Sequence, residues 1–192
     1  MNLISSIVKW YITKVFTIKV TSAENMPQEG GCILCSNHIS NFDPVVLGCA
    51  MERPVRFIAK QELFKIPVVG WYLKSINIIP VKRGSGDIGA VKASLRALKD
   101  GEVLGIFPTG TREKKHPDAQ PKPGVALIAA KADVPVIPVH IDASYKPFSK
   151  VSITVGKPVD MSGYTGRKLN QEELADAACH IYSSIKALGG AL

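Results

Sequence analysis

The sequence has few of the features that assign a protein quickly. It holds no run of 18 or more uncharged apolar residues, so a conventional membrane-spanning helix is not expected. Aromatic residues are 7% of the chain and do not interleave with the basic ones, which argues against a single-strand nucleic-acid platform. There is no G-x-S-x-G elbow, P-loop, H-E-x-x-H pair or protein-kinase set. Neither an internal repeat nor a low-complexity stretch is present.

Cysteine is also scarce. Of Cys32, Cys35, Cys49 and Cys179, only the first two are close, and three positions apart on a strand point to opposite faces. That excludes a shared zinc or a disulfide between them and fits a reducing compartment. His116, His140 and His180 show no metal-like spacing, and no metal site is expected.

Acidic residues are outnumbered, 16 against 24 Lys and Arg, for a formal charge of +8. Such a surface attracts phosphate, on nucleic acid, lipid or a small substrate. The excess is concentrated between positions 53 and 83, where Arg53, Arg56, Lys60, Lys65, Lys74, Lys82 and Arg83 meet the single acid Glu62.

With 192 residues, 46% of them hydrophobic, one domain with a full core is expected. β-Branched segments ("FTIKV", "GCILCS", "VRFIA", "INIIPV", "VLGIF", "VIPVHI", "KVSITV") alternate with helical patterns at 44–52, 62–75, 87–99, 123–132 and 170–188. This implies an α/β domain whose mixed, largely parallel sheet is flanked by helices. "TREKKHPDAQPKPG", 111–124, reads as a polar surface loop.

The amino terminus stands apart. In residues 1–20, Asn2, Ser5, Ser6, Lys9 and Thr13 form a polar stripe roughly 100° wide, and most of the rest is apolar. Lys9 and Lys14 interrupt any signal-peptide core and no A-x-A-like site follows. The segment fits an amphipathic helix lying in a membrane interface, with Trp10 and Tyr11 at headgroup level and lysines toward anionic lipid. A helix packed wholly onto its own domain is the alternative. On the first reading, residues 1–20 are an amphipathic membrane-associating segment and 21–192 the α/β domain.

Gly84, Gly86 and Gly89 spell a G-x-G-x-x-G between a strand and a helix. A dinucleotide site needs an acid at the far end of the next strand, whereas Glu102 precedes "VLGIF".

The stretch "SNHISNFDP", 36–44, places His38 just beyond a strand, where open α/β sheets form their crevices. Asp43 and Pro44 look like an N-cap and first residue of a helix. If the loop turns back, one Asp43 oxygen caps that helix and the other accepts from the imidazole Nδ1. Nε2 is then left as a proton acceptor, with the nucleophile to come from a substrate hydroxyl. On these residues alone a buried histidine near a helix cap is an equal reading. The loop "GIFPTGTRE", 105–113, adds an anion site from two threonine hydroxyls, backbone N–H groups and Arg112. Arg83 shares its sheet edge if the strands run parallel.

Four blocks in order then resemble the glycerolipid acyltransferases, in particular bacterial 1-acylglycerol-3-phosphate acyltransferases. "NHISNFD" is similar to N-H-x4-D, "INIIPVKRG" to the second block, "FPTGTR" to F-P-E-G-T-R, and "VPVIPV", 134–139, to the fourth; "AKQELFKIPVVGWYLK" also fits, and the likeness spans roughly 24–160. It implies His38 as general base, Asp43 as its orienting carboxylate, and a substrate-phosphate site of Arg83, Thr109, Gly110, Thr111 and Arg112, with 134–139 at the acyl channel. Thr109 departs from the family's usual glutamate.

The implied reaction moves a fatty acyl group from acyl carrier protein or coenzyme A to the sn-2 hydroxyl of lysophosphatidic acid, giving phosphatidic acid, at the cytoplasmic face of the cell membrane. It requires no cofactor, and no nucleic-acid partner is expected. Glycerol 3-phosphate or another lysolipid as acceptor, and a non-catalytic basic lipid- or nucleic-acid-binding protein, are the alternatives.

Overall fold

The computed structural model describes residues 3–76, 78–82 and 87–190. Among them are seven strands in one sheet: β1 (Thr17–Thr21), β2 (Cys32–Ser36), β3 (Val55–Lys60), β4 (Ile79–Val81), β5 (Val103–Ile106), β6 (Val136–Ala143) and β7 (Lys150–Val155). Six α-helices accompany them: α1 (Leu3–Val15), α2 (Asp43–Ala50), α3 (Pro67–Ser75), α4 (Ile88–Lys99), α5 (Pro123–Ala132) and α6 (Gln171–Gly189). The sheet order is β1-β7-β6-β2-β5-β3-β4. Neighbours pair in parallel except β6 and β7. This is the mixed, largely parallel α/β sheet expected from the alternation.

β2 is central, and all five of its residues are buried, because helices cover both faces. Cys32 and Leu34 pack with Ile12 of α1 and Val46 and Leu47 of α2. Ile33 and Cys35 pack with residues of α4, α5 and α6. The two cysteines therefore lie on opposite faces, as their spacing requires, and both are free thiols. Burial pushes the Cys35 thiol above its ordinary range.

Some boundaries differ from expectation. The 62–75 pattern splits into a 3-10 turn, Gln61–Lys65, and α3. Pro67 has no N–H to continue a helix and holds Ile66 extended, at φ −78° and ψ 117°. Strand β4 starts only at Ile79, since Ile76 ends α3. β1 begins at Thr17 and pairs with β7, so the last residues of the 1–20 segment belong to the sheet rather than to a separate unit. Arg83, Gly84 and Gly86 lie outside the described residues, whereas Asn170 and Glu173 close α6 with a capping box.

Helix α1 is neither wholly packed nor wholly free. Ile12 is buried, while Ile7, Trp10 and Tyr11 are each more than half exposed, at 57%, 63% and 58%. No helix among the described residues is long and apolar enough to cross a membrane.

Candidate active site

Because β2, β5 and β6 are adjacent and parallel, their carboxyl ends share one edge of the sheet. Each delivers a chain segment there. His38 stands two residues past β2, Phe107 and the 109–112 turn follow β5, and Tyr145 stands two residues past β6. Strand β4 is parallel to β3, and β3 to β5, so the chain also leaves β4 at this edge; Arg83 itself lies outside the described residues.

The loop after β2 turns back on α2 and brings His38 Nδ1 to 2.7 Å from Asp43 Oδ2. The same oxygen accepts from the backbone N–H of Ile39 and of Ser40, each at 2.7 Å. The other oxygen accepts from the Tyr145 hydroxyl at 2.6 Å. With this many donors aimed at it, the fully buried Asp43 is a carboxylate, and Nδ1 carries the imidazole proton.

The expected division of labour is thus corrected. Asp43 is the first residue of α2, Phe42 is its cap, and no side-chain bond caps the helix. The carboxylate looks back at the loop instead, where it partners two part-buried N–H groups.

His38 is fixed from other sides as well. Phe107 stacks on its ring, centroids 4.3 Å apart at 24°, and Phe57 stacks on Phe107 at 5.8 Å and 9°. Glu113 clamps the His38 main chain: its Oε1 accepts the His38 N–H at 3.2 Å, and its own N–H donates to the His38 carbonyl at 2.7 Å. Beside Glu113, burial and that carboxylate push the Tyr182 phenol up to about 12. What remains of His38 toward solvent is a side chain 17% exposed. Nε2 makes no hydrogen bond to any described residue, which leaves its lone pair available to take a proton.

The 109–112 turn differs in detail from an open anion nest. Thr109 is 2% exposed, and its hydroxyl donates to the Thr111 carbonyl at 2.8 Å. Gly110 sits at φ +64°, and its N–H is taken by the Phe107 carbonyl at 3.0 Å. Neither group is therefore free to donate to a phosphate, which corrects the anion site expected from the sequence. Thr111 and Arg112, half-buried, form the outer side of the turn.

A cation missing from the sequence reading lies here. Lys122 crosses Gly110, its Nζ 3.1 Å from where a Cβ would stand. With Lys115, His116, Thr109, Gly110 and Thr111 it lines an open cleft of about 870 Å³. The only hint of Lys122 in the sequence is its place before Pro123, the first residue of α5.

Two of the clustered basic residues are elsewhere. The Arg53 guanidinium donates to the carbonyls of Pro27, Gly30 and Gly101, and Arg56 pairs with Glu102 at 2.9 Å. Both are at the opposite edge of the sheet, which also removes Glu102 from any ribose site. The 134–139 block runs into β6, with Val136 in one core layer and Ile137 and Val139 in the other. No group of His, Cys, Asp and Glu among the described residues is arranged to hold a metal ion.

A family model described as Acyltransferase matches residues 17–142. The chain is 31% identical over 157 residues to the 1-acyl-sn-glycerol-3-phosphate acyltransferase of Bacillus subtilis (strain 168), covering 77% of this chain and 76% of that protein. It is 30% identical over 169 residues to the protein of that name from Streptococcus pneumoniae, covering 84% of this chain and 61% of the other. The crystal structure of the 1-acyl-sn-glycerophosphate (LPA) acyltransferase PlsC from Thermotoga maritima aligns with a TM-score of 0.69 at 29% identity, over 97% of this chain and 77% of that one. The chain spans only 36% of the Brassica napus chloroplastic relative BAT2.

Proposed function

The chain belongs to the acyltransferase family, and on that premise we propose that it acylates the sn-2 hydroxyl of 1-acylglycerol 3-phosphate, using a fatty acyl thioester of acyl carrier protein or coenzyme A, to form phosphatidic acid. The observation that carries the reading is the 2.7 Å contact of His38 Nδ1 with a buried carboxylate, at the sheet edge that also holds the 109–112 turn.

His38 Nε2 takes the proton of the acceptor hydroxyl as its oxygen attacks the thioester carbonyl. The C–S bond then breaks, and the imidazolium returns that proton to the departing thiolate. Asp43 keeps Nε2 unprotonated at rest and stabilises the imidazolium in between. The acceptor phosphate is met by Arg112 and Thr111, with Lys122 behind Gly110; Arg83 joins them by resemblance alone. The names of the relatives support this acceptor.

The enzyme works as a peripheral or monotopic protein on the cytoplasmic face of the cell membrane. In support, Trp10 of α1 and Val68 and Trp71 of α3 are exposed on the helical layer that also carries α2, and Lys9 and Lys14 suit an anionic surface.

The test is transfer of labelled acyl groups from both donors to lysophosphatidic acid and to glycerol 3-phosphate, with His38→Ala as control. A general base contributes about 10²–10⁴-fold, so the variant should lose that much turnover while keeping its thermal midpoint. Near-wild-type turnover in His38→Ala overturns the mechanism; preference for glycerol 3-phosphate overturns the acceptor.

A further inference from the structure

We propose that Tyr145 is a positioning residue of the His38–Asp43 pair: its hydroxyl, 2.6 Å from Asp43 Oδ1, fixes the carboxylate and sets how strongly that carboxylate holds a proton on His38. The inference rests on the reading of His38 as the general base.

Asp43 has two unlike oxygens. Oδ2 receives three donors, from His38, Ile39 and Ser40. Oδ1 receives one among the described residues, the Tyr145 hydroxyl. In a fully buried site a carboxylate oxygen without a donor is costly, so this bond completes the clamp that the three on Oδ2 begin and draws charge away from Oδ2. Burial first, then the Asp43 charge and the hydrogen bond to it, hold the Tyr145 phenol far above its ordinary range. It is a proton donor at every working pH.

The placement of Tyr145 is built, not incidental. Its backbone is in the left-handed region, at φ +55°, which a residue of this size adopts only when its surroundings impose it. The loop that carries it is tied to the α1–β1 corner: the Phe148 N–H donates to the Val15 carbonyl at 2.8 Å and the Thr17 N–H to the Ser149 carbonyl at 3.1 Å. Its ring meets Phe16 edge-on at 5.6 Å and stacks on Phe42 at 5.8 Å. The hydroxyl is thereby aimed at α2.

The ionisable groups in and around the pair come from four elements. Asp43 belongs to α2 and Tyr145 to the β6–β7 loop. Glu113, from the segment after β5, meets the His38 main chain and has Tyr182 of α6 beside it. Of these, Tyr145 is the one that touches the carboxylate away from His38.

The sign follows. Without the hydroxyl, negative charge gathers on Oδ2, the oxygen in contact with the imidazole, and attracts a positive charge on that ring more strongly. In Tyr145→Phe, which keeps the ring packing, the acid limb of the kcat/KM profile should move up by about half a pH unit. The kcat should fall about tenfold with the acceptor KM nearly unchanged. With 3,5-difluorotyrosine in place of Tyr145, a stronger donor of nearly the same shape, the limb should move down.

Both profiles are measured on the full chain with lysophosphatidic acid in mixed micelles. If Tyr145→Phe fails to fold, the difluorinated enzyme decides by itself. An acid limb that stays in place in the folded variants reduces Tyr145 to a packing residue and overturns the proposal. His38→Ala separates the two readings: substantial turnover there removes the base, whereas an inactive His38→Ala with an unmoved limb in the Tyr145 variants removes only the role of Tyr145.

Discussion

Phe107 lies against the His38 ring, centroids 4.3 Å apart and planes 24° from parallel. The contact closes one face of the imidazole and leaves rotation about its side-chain bonds little room. A flat ring over an imidazolium also favours the charged form that appears when the base has taken its proton. Phe107→Leu should therefore keep the fold but lower kcat about fivefold, since roughly 1 kcal/mol of orientation is lost. Steady-state kinetics beside a thermal melt check this; unchanged kcat would mean that Asp43 alone holds the ring.

Gly105 should tolerate no side chain. A Cβ there would run into the Phe57 ring and stand 2.9 Å from Val55 Cγ1. Phe57 lies flat over β5 and stacks on Phe107, so displacing it disturbs the ring on His38. Gly105→Ala should cost about 1–3 kcal/mol of stability, read by urea unfolding, and should reduce activity more than a purely distant destabilisation would at a temperature where the protein is folded.

Arg53→Met should separate structure from phosphate binding within the basic cluster. Its three carbonyl partners would lose a charged donor, at about 2 kcal/mol. The melting point should fall, and the KM for the phosphorylated acceptor should not change. A raised KM would return Arg53 to the phosphate site.

Membrane attachment should depend on the outer face of α1. Ile7, Trp10 and Tyr11 are exposed while Ile12 is buried, so replacing the first three with Gln leaves the core intact. Partitioning onto anionic vesicles should drop at least about tenfold. Full retention would move the anchor to Val68 and Trp71 of α3.

Alkaline stability should bend at Tyr182. Its phenol is raised from the ordinary 10.0 to about 12, so the folded state keeps this proton more tightly than the unfolded chain. The stabilisation is complete below about pH 10 and is lost as pH rises toward 12. Tyr182→Phe should unfold with a shallower pH dependence across that window, as followed by denaturant midpoints.

Much of this protein is written locally. The branched runs, the α4 periodicity and the Asn170 cap specify strands and helices over a few residues. His38 and Asp43 are five positions apart, so a single loop brings them together. Other features had no local trace. Nothing near Tyr145 shows that it would reach Asp43 from 102 positions away, and Glu113 reads as one charge among several in a polar loop.

The sequence by itself determined the α/β class and the five-residue spacing that lets one loop join His38 to Asp43, because the first depends on side-chain periodicity and the second on a short stretch of chain. Tertiary structure alone decided that Asp43 serves the loop rather than its helix, that the Gly110 N–H and the Thr109 hydroxyl are taken up inside the turn, that Lys122 lies beside Gly110 and that Tyr145 reaches Asp43. The parallel register of β5, β2 and β6 places three strand ends side by side, and no stretch of sequence holds all three.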